Sequence, residues 1–169
     1  MTELRIVKLT REHRVEQFDC GSEALNNYLV RNALGNQLAN AAQSYVCLGG
    51  EAVTGFMTLA TGSIEHNAAP ERLRKGLARH PVPVMVLARL AVDRNWQRRG
   101  IAVSLIKEAM LRTVQVSDIA GVRALIVHAK SDDVRTFYRQ FGFSEGFPDP
   151  MELYVLTKDL KALLPPSIG

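Results

Sequence analysis

The sequence predicts an α/β fold in a single domain, and three observations support this prediction. Apolar strands alternate with segments of helical spacing along most of the chain. One alternation, over residues 84–114, runs from an apolar strand through a polar turn into an amphipathic helix. The 169 residues, of which 47% are hydrophobic and 22% charged, suit one soluble globular domain. We expect that domain over residues 1–164, with a short flexible tail at 165–169.

The first half of the chain is expected to hold three strands and two helices. Strands are predicted at residues 4–9, 44–48 and 53–63, the last two joined by a turn at Gly49-Gly50-Glu51. A helix capped by Asp19 or Ser22 is indicated by i, i+3, i+4 spacing of apolar residues, which are Leu25, Tyr28, Leu29 and Ala33. A short basic helix is expected over 70–78, closed by Pro81 and Pro83.

The second half continues the alternation. A strand over 84–92 meets a polar turn at 93–99, and Gly100 then opens a helix with one broad apolar face. That face consists of Ile101, Leu105, Ile106, Ala109, Met110 and Val114. Strands follow at 124–128 and 151–156. Between them Ser131 caps a helix that Gly142 ends, with two aspartates in its first turn, where negative charge suits the helix dipole.

The strand, turn and helix over residues 84–114 predict an anion site. The first N–H groups of a helix lack internal partners, and the helix dipole adds partial positive charge there. Gly100 allows close approach of a phosphate, and Arg98 and Arg99 add formal charge. The turn has no Lys for a Walker P-loop and only one glycine, too few for the dinucleotide fingerprint. We therefore expect a phosphorylated cofactor held in another way.

The segment Gln97-Arg98-Arg99-Gly100-Ile101-Ala102 resembles the pyrophosphate loop, Q/R-x-x-G-x-G/A, of the GNAT acetyltransferases. An apolar strand precedes the loop and Phe137-Tyr138-Arg139-Gln140-Phe141-Gly142-Phe143 follows it, as in that family. The resemblance implies a mixed sheet whose central parallel strands splay, with helices on both faces. It also implies acetyl-CoA as co-substrate. Ala102 departs from the Gly of many members, for which we expect only a modest loss of affinity.

The same resemblance assigns the cofactor contacts. The pyrophosphate is expected on Gln97, Arg98, Arg99, Gly100, Ile101 and Ala102. The pantetheine is expected to pair with the backbone of Leu90, Ala91 and Val92 like an added strand. Ser131 and Phe137 are further cofactor candidates.

Tyr138 is the candidate proton donor for the departing thiolate. The ordinary pKa of a tyrosine, about 10, lies above the ~8.5 of a thiol, so the phenol keeps its proton until the thiolate forms. GNAT enzymes commonly place such a tyrosine beside the cofactor sulfur, so the resemblance implies the same role. The alternative is a core tyrosine that packs beside Phe137 and Phe141.

No carboxylate stands out as a general base. Histone-type relatives carry a glutamate on the strand before the loop, where this chain reads Val86-Leu87-Ala88-Arg89-Leu90. A lysine side chain is only about 0.1% neutral near neutral pH, whereas an α-amine with a pKa of roughly 7.7–8.0 is substantially neutral. The absence of a carboxylate therefore favours α-amino acceptors. His128 is either a base or a hydrogen-bonded core residue, the more common fate of a histidine that closes a strand.

Further segments resemble one branch of the superfamily, the toxins of type II toxin–antitoxin modules. They include Phe18-Asp19-Cys20-Gly21 with Leu25-Asn26-Asn27-Tyr28-Leu29, and Ala88-Arg89-Leu90-Ala91-Val92-Asp93. His128-Ala129-Lys130 also agrees, and the likeness spans about residues 5–158. That branch acetylates the α-amine of aminoacyl-tRNA and stops translation. The resemblance implies a ribbon-helix-helix antitoxin as partner and a homodimer.

The charge pattern fits an RNA partner. Fifteen of the 21 basic residues are Arg, which contacts phosphates in a planar, bidentate way, and the sequence pI is about 9.3. One cluster comprises Arg72, Arg74, Lys75 and Arg79 beside His80, and a second comprises Arg94, Arg98 and Arg99 around Trp96. We expect aminoacyl-tRNA on the first cluster and on Arg89. A solvated basic face, or contacts to cofactor phosphates alone, would give the same composition.

Three functions thus remain open on the sequence. The first is the tRNA-acetylating toxin, the second a GNAT enzyme for a small amine or a protein N-terminus, and the third a non-catalytic acyl-CoA-binding module. No metal site is predicted, since Cys20 and Cys47 lack ligand spacing and read as reduced thiols. The chain shows no apolar run of membrane length and no signal-peptide core, so we expect a cytoplasmic protein without a membrane partner.

Overall fold

The computed structural model describes residues 3–163, and the tail predicted at residues 165–169 lies outside them. Six strands form one sheet in chain order. They are β1 (Leu4–Lys8), β2 (Gln43–Gly49), β3 (Ala52–Ile64), β4 (Val82–Val92), β5 (Ala124–His128) and β6 (Glu152–Leu156). The helices are α1 (Glu23–Asn27), α2 (Ala33–Leu38), α3 (Glu71–Arg74), α4 (Ile101–Ser117), α5 (Asp132–Arg139) and α6 (Thr157–Leu163). The predicted mixed α/β fold is confirmed.

The chain divides into two compact units. The first comprises the described residues of Met1–Ala60 and Ala88–Ala109. In it β1 pairs antiparallel with β2, with Ile6 opposite Cys47, and β2 pairs antiparallel with β3. Its core gathers apolar residues from the N-terminal helices and these strands, including Leu29, Val46 and Phe56.

The second unit comprises the described residues of Thr61–Leu87 and Met110–Gly169. In it β4 runs parallel to β5, with Val86 opposite Ile126, and β5 pairs antiparallel with β6. The first four residues of β5 are all buried, as expected of a strand covered on both faces. The core of this unit includes Leu73, Val84 and Tyr154.

The N-terminal helical segment is less regular than its spacing predicts. Ser22, not Asp19, caps α1, and its side chain accepts the N–H of Leu25. A π-helical turn, Tyr28–Asn32, separates α1 from α2 and carries the buried residues Tyr28 and Leu29. Such turns insert an extra residue and recur at functional sites.

The basic helix predicted over 70–78 is wrong in length. Helix α3 covers only Glu71–Arg74, because Gly76 takes a left-handed φ of 80° that an α-helix cannot continue. Pro83 does not close a helix but lies exposed near the start of β4, where a strand tolerates proline. Helix α6 was not predicted. Within residues 3–163 no helix is long and apolar enough to span a membrane.

Candidate active site

The loop between β4 and α4 is built around one buried carboxylate. Asp93 accepts the N–H of Asn95 at 2.9 Å and the N–H of Asp19 at 3.0 Å. Its own N–H donates to the carbonyl oxygen of Thr54 at 2.8 Å. An aspartate that accepts the N–H two residues ahead forms an Asx turn, which fixes the course of the loop. Asp93 therefore sets the start of the predicted pyrophosphate loop and ties it to the segment at residue 19.

The rest of this loop, from Gln97 to Gly100, is exposed. Arg98 has a φ of 64° and Gly100 a φ of 78°, both left-handed. Loops with left-handed residues turn backbone N–H groups into concavities that bind anions, and α4 starts directly behind this one. A Cβ on Gly100 would meet no atom of the described residues within 4 Å, so the space before it is open. Residues 97–102 thus have the backbone form that a phosphate site needs.

A second segment, residues 18–26, supports the loop. The carboxylate of Asp19 accepts the N–H of Gly21 at 2.9 Å and the amide of Asn26 at 3.0 Å. Arg94 donates its backbone N–H to the carbonyl oxygen of Asp19, and its guanidinium lies 3.4 Å from the carboxylate. Chiefly the hydrogen bond from Gly21, and then that from Asn26, lower the pKa of the Asp19 carboxyl. The sequence showed these residues as part of a family resemblance but gave no sign of this supporting role.

Two arginines of the first unit lie over aromatic rings. The guanidinium of Arg89, on β4, lies 3.6 Å from the ring centroid of Tyr28, and Tyr28 stacks on Phe56. The guanidinium of Arg99 lies 4.6 Å from the ring of Trp96. Arginine stacks in this way on aromatic faces while its N–H groups stay free for other partners. Next to Arg89, Leu90 and Val92 are half-buried and Ala91 is buried.

Helix α5 carries the predicted proton donor. Ser131 caps the helix by accepting the N–H of Val134, as the sequence predicted. Tyr138 is only 5% exposed, and its ring contacts those of Phe137 and Phe143 at centroid distances of 5.9 and 5.5 Å. Burial raises the pKa of Tyr138 to about 12. Its hydroxyl makes no hydrogen bond to any of residues 3–163. The side chain is therefore a protonated donor without a partner in the described structure.

Of the two alternatives for His128, a base or a core residue, the structure excludes the core residue. Its side chain is 63% exposed, and its Nε2 lies 3.0 Å from the carboxylate of Asp149. His128 is the last residue of β5 and lies opposite Glu152 on β6. Its surroundings are solvent and the carboxylate of Asp149 rather than apolar side chains. Burial, followed by the charge of Asp149, raises the pKa of the Glu152 carboxyl.

The structure divides the first basic cluster. Arg74 and Arg79 line one cavity of about 610 Å³, and its other polar lining residues are Glu65, His66, Asn67 and His80. Arg72 lies elsewhere and forms an ion pair with Asp159 at 3.0 Å. Lys75 does not line the cavity. Of the second cluster, Arg94 is paired with Asp19, whereas Arg98 and Arg99 belong to the exposed part of the loop.

Comparison with known proteins identifies the family. The family described as "Acetyltransferase (GNAT) domain" matches residues 40–145, a range that includes both the loop and Tyr138. The chain belongs to the GNAT acetyltransferase family. Its predicted family and enzyme class, an acetyltransferase, are thereby confirmed.

Relatives of this GNAT protein include a tRNA-acetylating toxin of Mycobacterium tuberculosis. It is 41% identical over 150 residues, which cover 89% of this chain and 90% of the relative. Among solved structures, AtaT complexed with acetyl-methionyl-tRNAfMet matches with a TM-score of 0.88 and 28% identity, covering 95% of this chain and 99% of that one. A tyrosine-to-phenylalanine mutant of AtaT, bound to the C-terminus of the antitoxin AtaR and to acetyl-CoA, matches with a TM-score of 0.80 and 27% identity. That match covers 96% of this chain and 98% of the other.

Proposed function

We propose that this GNAT protein is a toxin that transfers the acetyl group of acetyl-CoA to the α-amine of aminoacyl-tRNA. The observation that carries this proposal is its 41% identity to a tRNA-acetylating toxin along about nine-tenths of both chains. The AtaT structure with acetyl-methionyl-tRNAfMet supports the same acceptor class, because acetyl-methionyl-tRNA is the product of such a transfer. Residues 1–164 act as one acetyltransferase domain in this proposal.

Acetyl-CoA is bound through its pyrophosphate by the loop from Gln97 to Ala102. Two features support this assignment: the left-handed Arg98 and Gly100, and the free N–H groups at the start of α4. The backbone of Leu90, Ala91 and Val92 binds the pantetheine, and Ser131 and Phe137 contribute further cofactor contacts.

Tyr138 supplies the proton that the leaving thiolate needs. The neutral amine attacks the thioester carbonyl, the carbon–nitrogen bond forms and the carbon–sulfur bond breaks. The nitrogen loses a proton and the sulfur gains one, so that acetyl-amide and free thiol result. Tyr138 passes this proton on and ends the cycle unchanged, as its burial and protonated state allow. His128 is not needed as a base, because an α-amine is already partly neutral near pH 7.5.

The acceptor tRNA is held by Arg89 and by members of the basic cluster, Arg74, Lys75 and Arg79, whereas Arg72 is engaged by Asp159. Cations on exposed arginines suit a phosphate backbone, and the chain carries a net charge of +4. An antitoxin of the ribbon-helix-helix type is the protein partner in this proposal, which is supported by the complex of the neighbour AtaT with its antitoxin AtaR. The proposal also takes the toxin to be a homodimer, as the family resemblance implies. It works in the cytoplasm, where its substrates are.

The test is acetylation of charged tRNA by the purified protein. Radiolabelled acetyl-CoA is incubated with a set of aminoacyl-tRNAs, and label in acid-precipitable RNA is compared with label in free amino acids and small amines. We expect label in at least one aminoacyl-tRNA and none after treatment that removes the aminoacyl ester. Fast acetylation of small amines beside inert tRNA would refute the proposal.

A further inference from the structure

Arg74 and Arg79 come together although four residues separate them in the sequence. Helix α3 consists of a single turn, and Leu73 in its middle is fully buried. Successive helical residues are rotated by about 100°, so Arg72 and Arg74 leave the helix on opposite sides of Leu73. On one side Arg72 pairs with Asp159, and on the other Arg74 reaches the cavity. The chain then reverses at Gly76, with a φ of 80°, and brings Arg79 to the same wall.

The backbone around Arg74 is fixed. Arg123 donates from its Nε to the carbonyl oxygen of Leu73 at 2.9 Å and from its Nη2 to that of Lys75 at 3.0 Å. These two bonds satisfy the carbonyl groups on both sides of Arg74, which the end of a helix would otherwise leave unpaired. The carbonyl oxygen of Arg74 itself accepts the N–H of Leu77. The backbone that carries Arg74 is therefore positioned before any ligand arrives, which lowers the entropy cost of binding at this part of the cavity.

Among the described residues, the two arginines of the cavity have no ion-pair partner. Within residues 3–163 neither Arg74 nor Arg79 lies within 4.0 Å of a carboxylate oxygen, although Glu65 lines the same cavity. Arg72, two residues from Arg74, does have such a partner. The volume of about 610 Å³ falls in the range of roughly 300–1,000 Å³ that holds nucleotide-sized ligands. Planar guanidinium groups bind phosphate oxygens in a bidentate way.

We infer that Arg74 and Arg79 form a phosphate subsite for the tRNA backbone, with His80 beside them, and that Arg72 is not part of it. The inference rests on the proposed function for its ligand and narrows the basic cluster to two of its four members. The phosphates of acetyl-CoA could bind the same two arginines, and the experiment distinguishes them from the phosphates of tRNA.

The test is the salt dependence of binding, with deacylated tRNA as the probe. Dissociation constants are measured between 50 and 300 mM KCl for the wild type, for the double variant Arg74→Gln/Arg79→Gln and for Arg72→Gln. The association constant falls as the salt concentration rises, and each lost phosphate contact makes the slope of log K against log salt less steep by about 0.7–0.9. We expect a slope less steep by about 1.5 in the double variant and by less than about 0.5 in Arg72→Gln. The affinity for acetyl-CoA, measured by calorimetry, is expected to equal that of the wild type in both variants.

Two further measurements make the result decisive. Thermal unfolding shows whether the double variant is folded, and Arg74→Lys/Arg79→Lys, which keeps both charges, is expected to restore most of the slope. Equal slopes for the wild type and the glutamine double variant would overturn the inference, as would an equal loss in Arg72→Gln. A matching loss of acetyl-CoA affinity would assign the cavity to the cofactor instead. A wild type that binds tRNA through these residues but acetylates none would refute only the proposed function.

Discussion

Replacing Tyr138 with phenylalanine should lower turnover and leave stability nearly unchanged. The side chain is only 5% exposed and its hydroxyl has no hydrogen-bond partner among residues 3–163. The hydroxyl oxygen is nevertheless not one of the buried side-chain atoms that lack a partner, so it keeps contact with solvent. Removing a hydroxyl that solvent satisfies changes stability little, and phenylalanine keeps the ring contacts to Phe137 and Phe143. The free energy of unfolding should therefore change by less than about 1 kcal/mol, which for a chain of this length is a shift in Tm of less than roughly 4 °C.

Turnover should fall at the same time. General acid catalysis contributes about 10²–10⁴-fold, so kcat on aminoacyl-tRNA should drop by that factor while the Kd for acetyl-CoA stays near the wild-type value. Single-turnover acetylation, calorimetry and thermal unfolding measure the three quantities. The matched control is Tyr154→Phe, another buried tyrosine of the same unit, which packs edge-on against Phe147 and should leave turnover unchanged.

Two results would refute this reasoning. A Tyr138→Phe enzyme within threefold of wild-type turnover would make Tyr138 a packing residue. A loss of stability above about 2 kcal/mol would mean that its hydroxyl has a partner in the folded protein. In cells, expression without antitoxin should arrest growth for the wild type and not for this variant.

Three other predictions follow from the site. Gly100→Glu should abolish acetyl-CoA binding in calorimetry, whereas Gly100→Ala, strained by the same φ of 78° but uncharged, should retain part of it; equal losses would show that backbone strain and not charge decides. Asp93→Ala removes the acceptor of two backbone N–H groups and should cost about 2–4 kcal/mol in denaturant unfolding; a cost below 1 kcal/mol would show that the loop does not depend on it. The rate with an α-amine acceptor should rise tenfold per pH unit below about 7.7, because the amine must lose its proton to react. It should then stay flat to pH 9.5, because the pKa of Tyr138 is raised to about 12 and the phenol keeps its proton; a fall above pH 8.5 would contradict this. The same raised pKa favours the protonated phenol in the folded state, so the contribution of Tyr138 to stability should be lost as the pH rises from about 10 towards 12.

The parts of the fold set by local sequence could be predicted. Helix α5 shows its start through Ser131 and its end before Gly142, which has a φ of 95°, and both signals lie within a few residues of the helix. The order of strand, loop and helix around Gly100 is equally local, so it could be predicted from the spacing of apolar residues. The hairpin of β2 and β3 followed from its glycine turn.

Features that depend on distant residues could not be predicted. The carboxylate of Asp93 accepts the N–H of a residue 74 positions away, and no periodicity encodes that pairing. Arg72 and Arg74 look alike in a basic run, and only the partner Asp159, 87 residues from Arg72, distinguishes them. The surroundings of His128 could not be predicted for the same reason, since Asp149 becomes its neighbour only through the pairing of β5 with β6.

The burial of Tyr138 constrains the order of proton movements in the proposed reaction. With a pKa of about 12, the phenol is a weaker acid by about 3.5 in pKa than a thiol at ~8.5, so complete transfer to the thiolate would cost about 4.8 kcal/mol if nothing replaced the proton. The attacking nitrogen removes this cost, because it becomes a strongly acidic ammonium once the carbon–nitrogen bond forms and can return a proton to Tyr138 as the sulfur takes one. The two transfers must therefore be coupled. A tyrosine that acted alone would need a pKa close to that of the thiol, which requires a nearby positive charge or a hydrogen bond to the phenolate, whereas burial shifts the pKa the other way. Fluorotyrosine at position 138, which lowers the phenol pKa, should consequently change the rate only weakly, whereas a strong rise in rate would show that the phenol proton moves first.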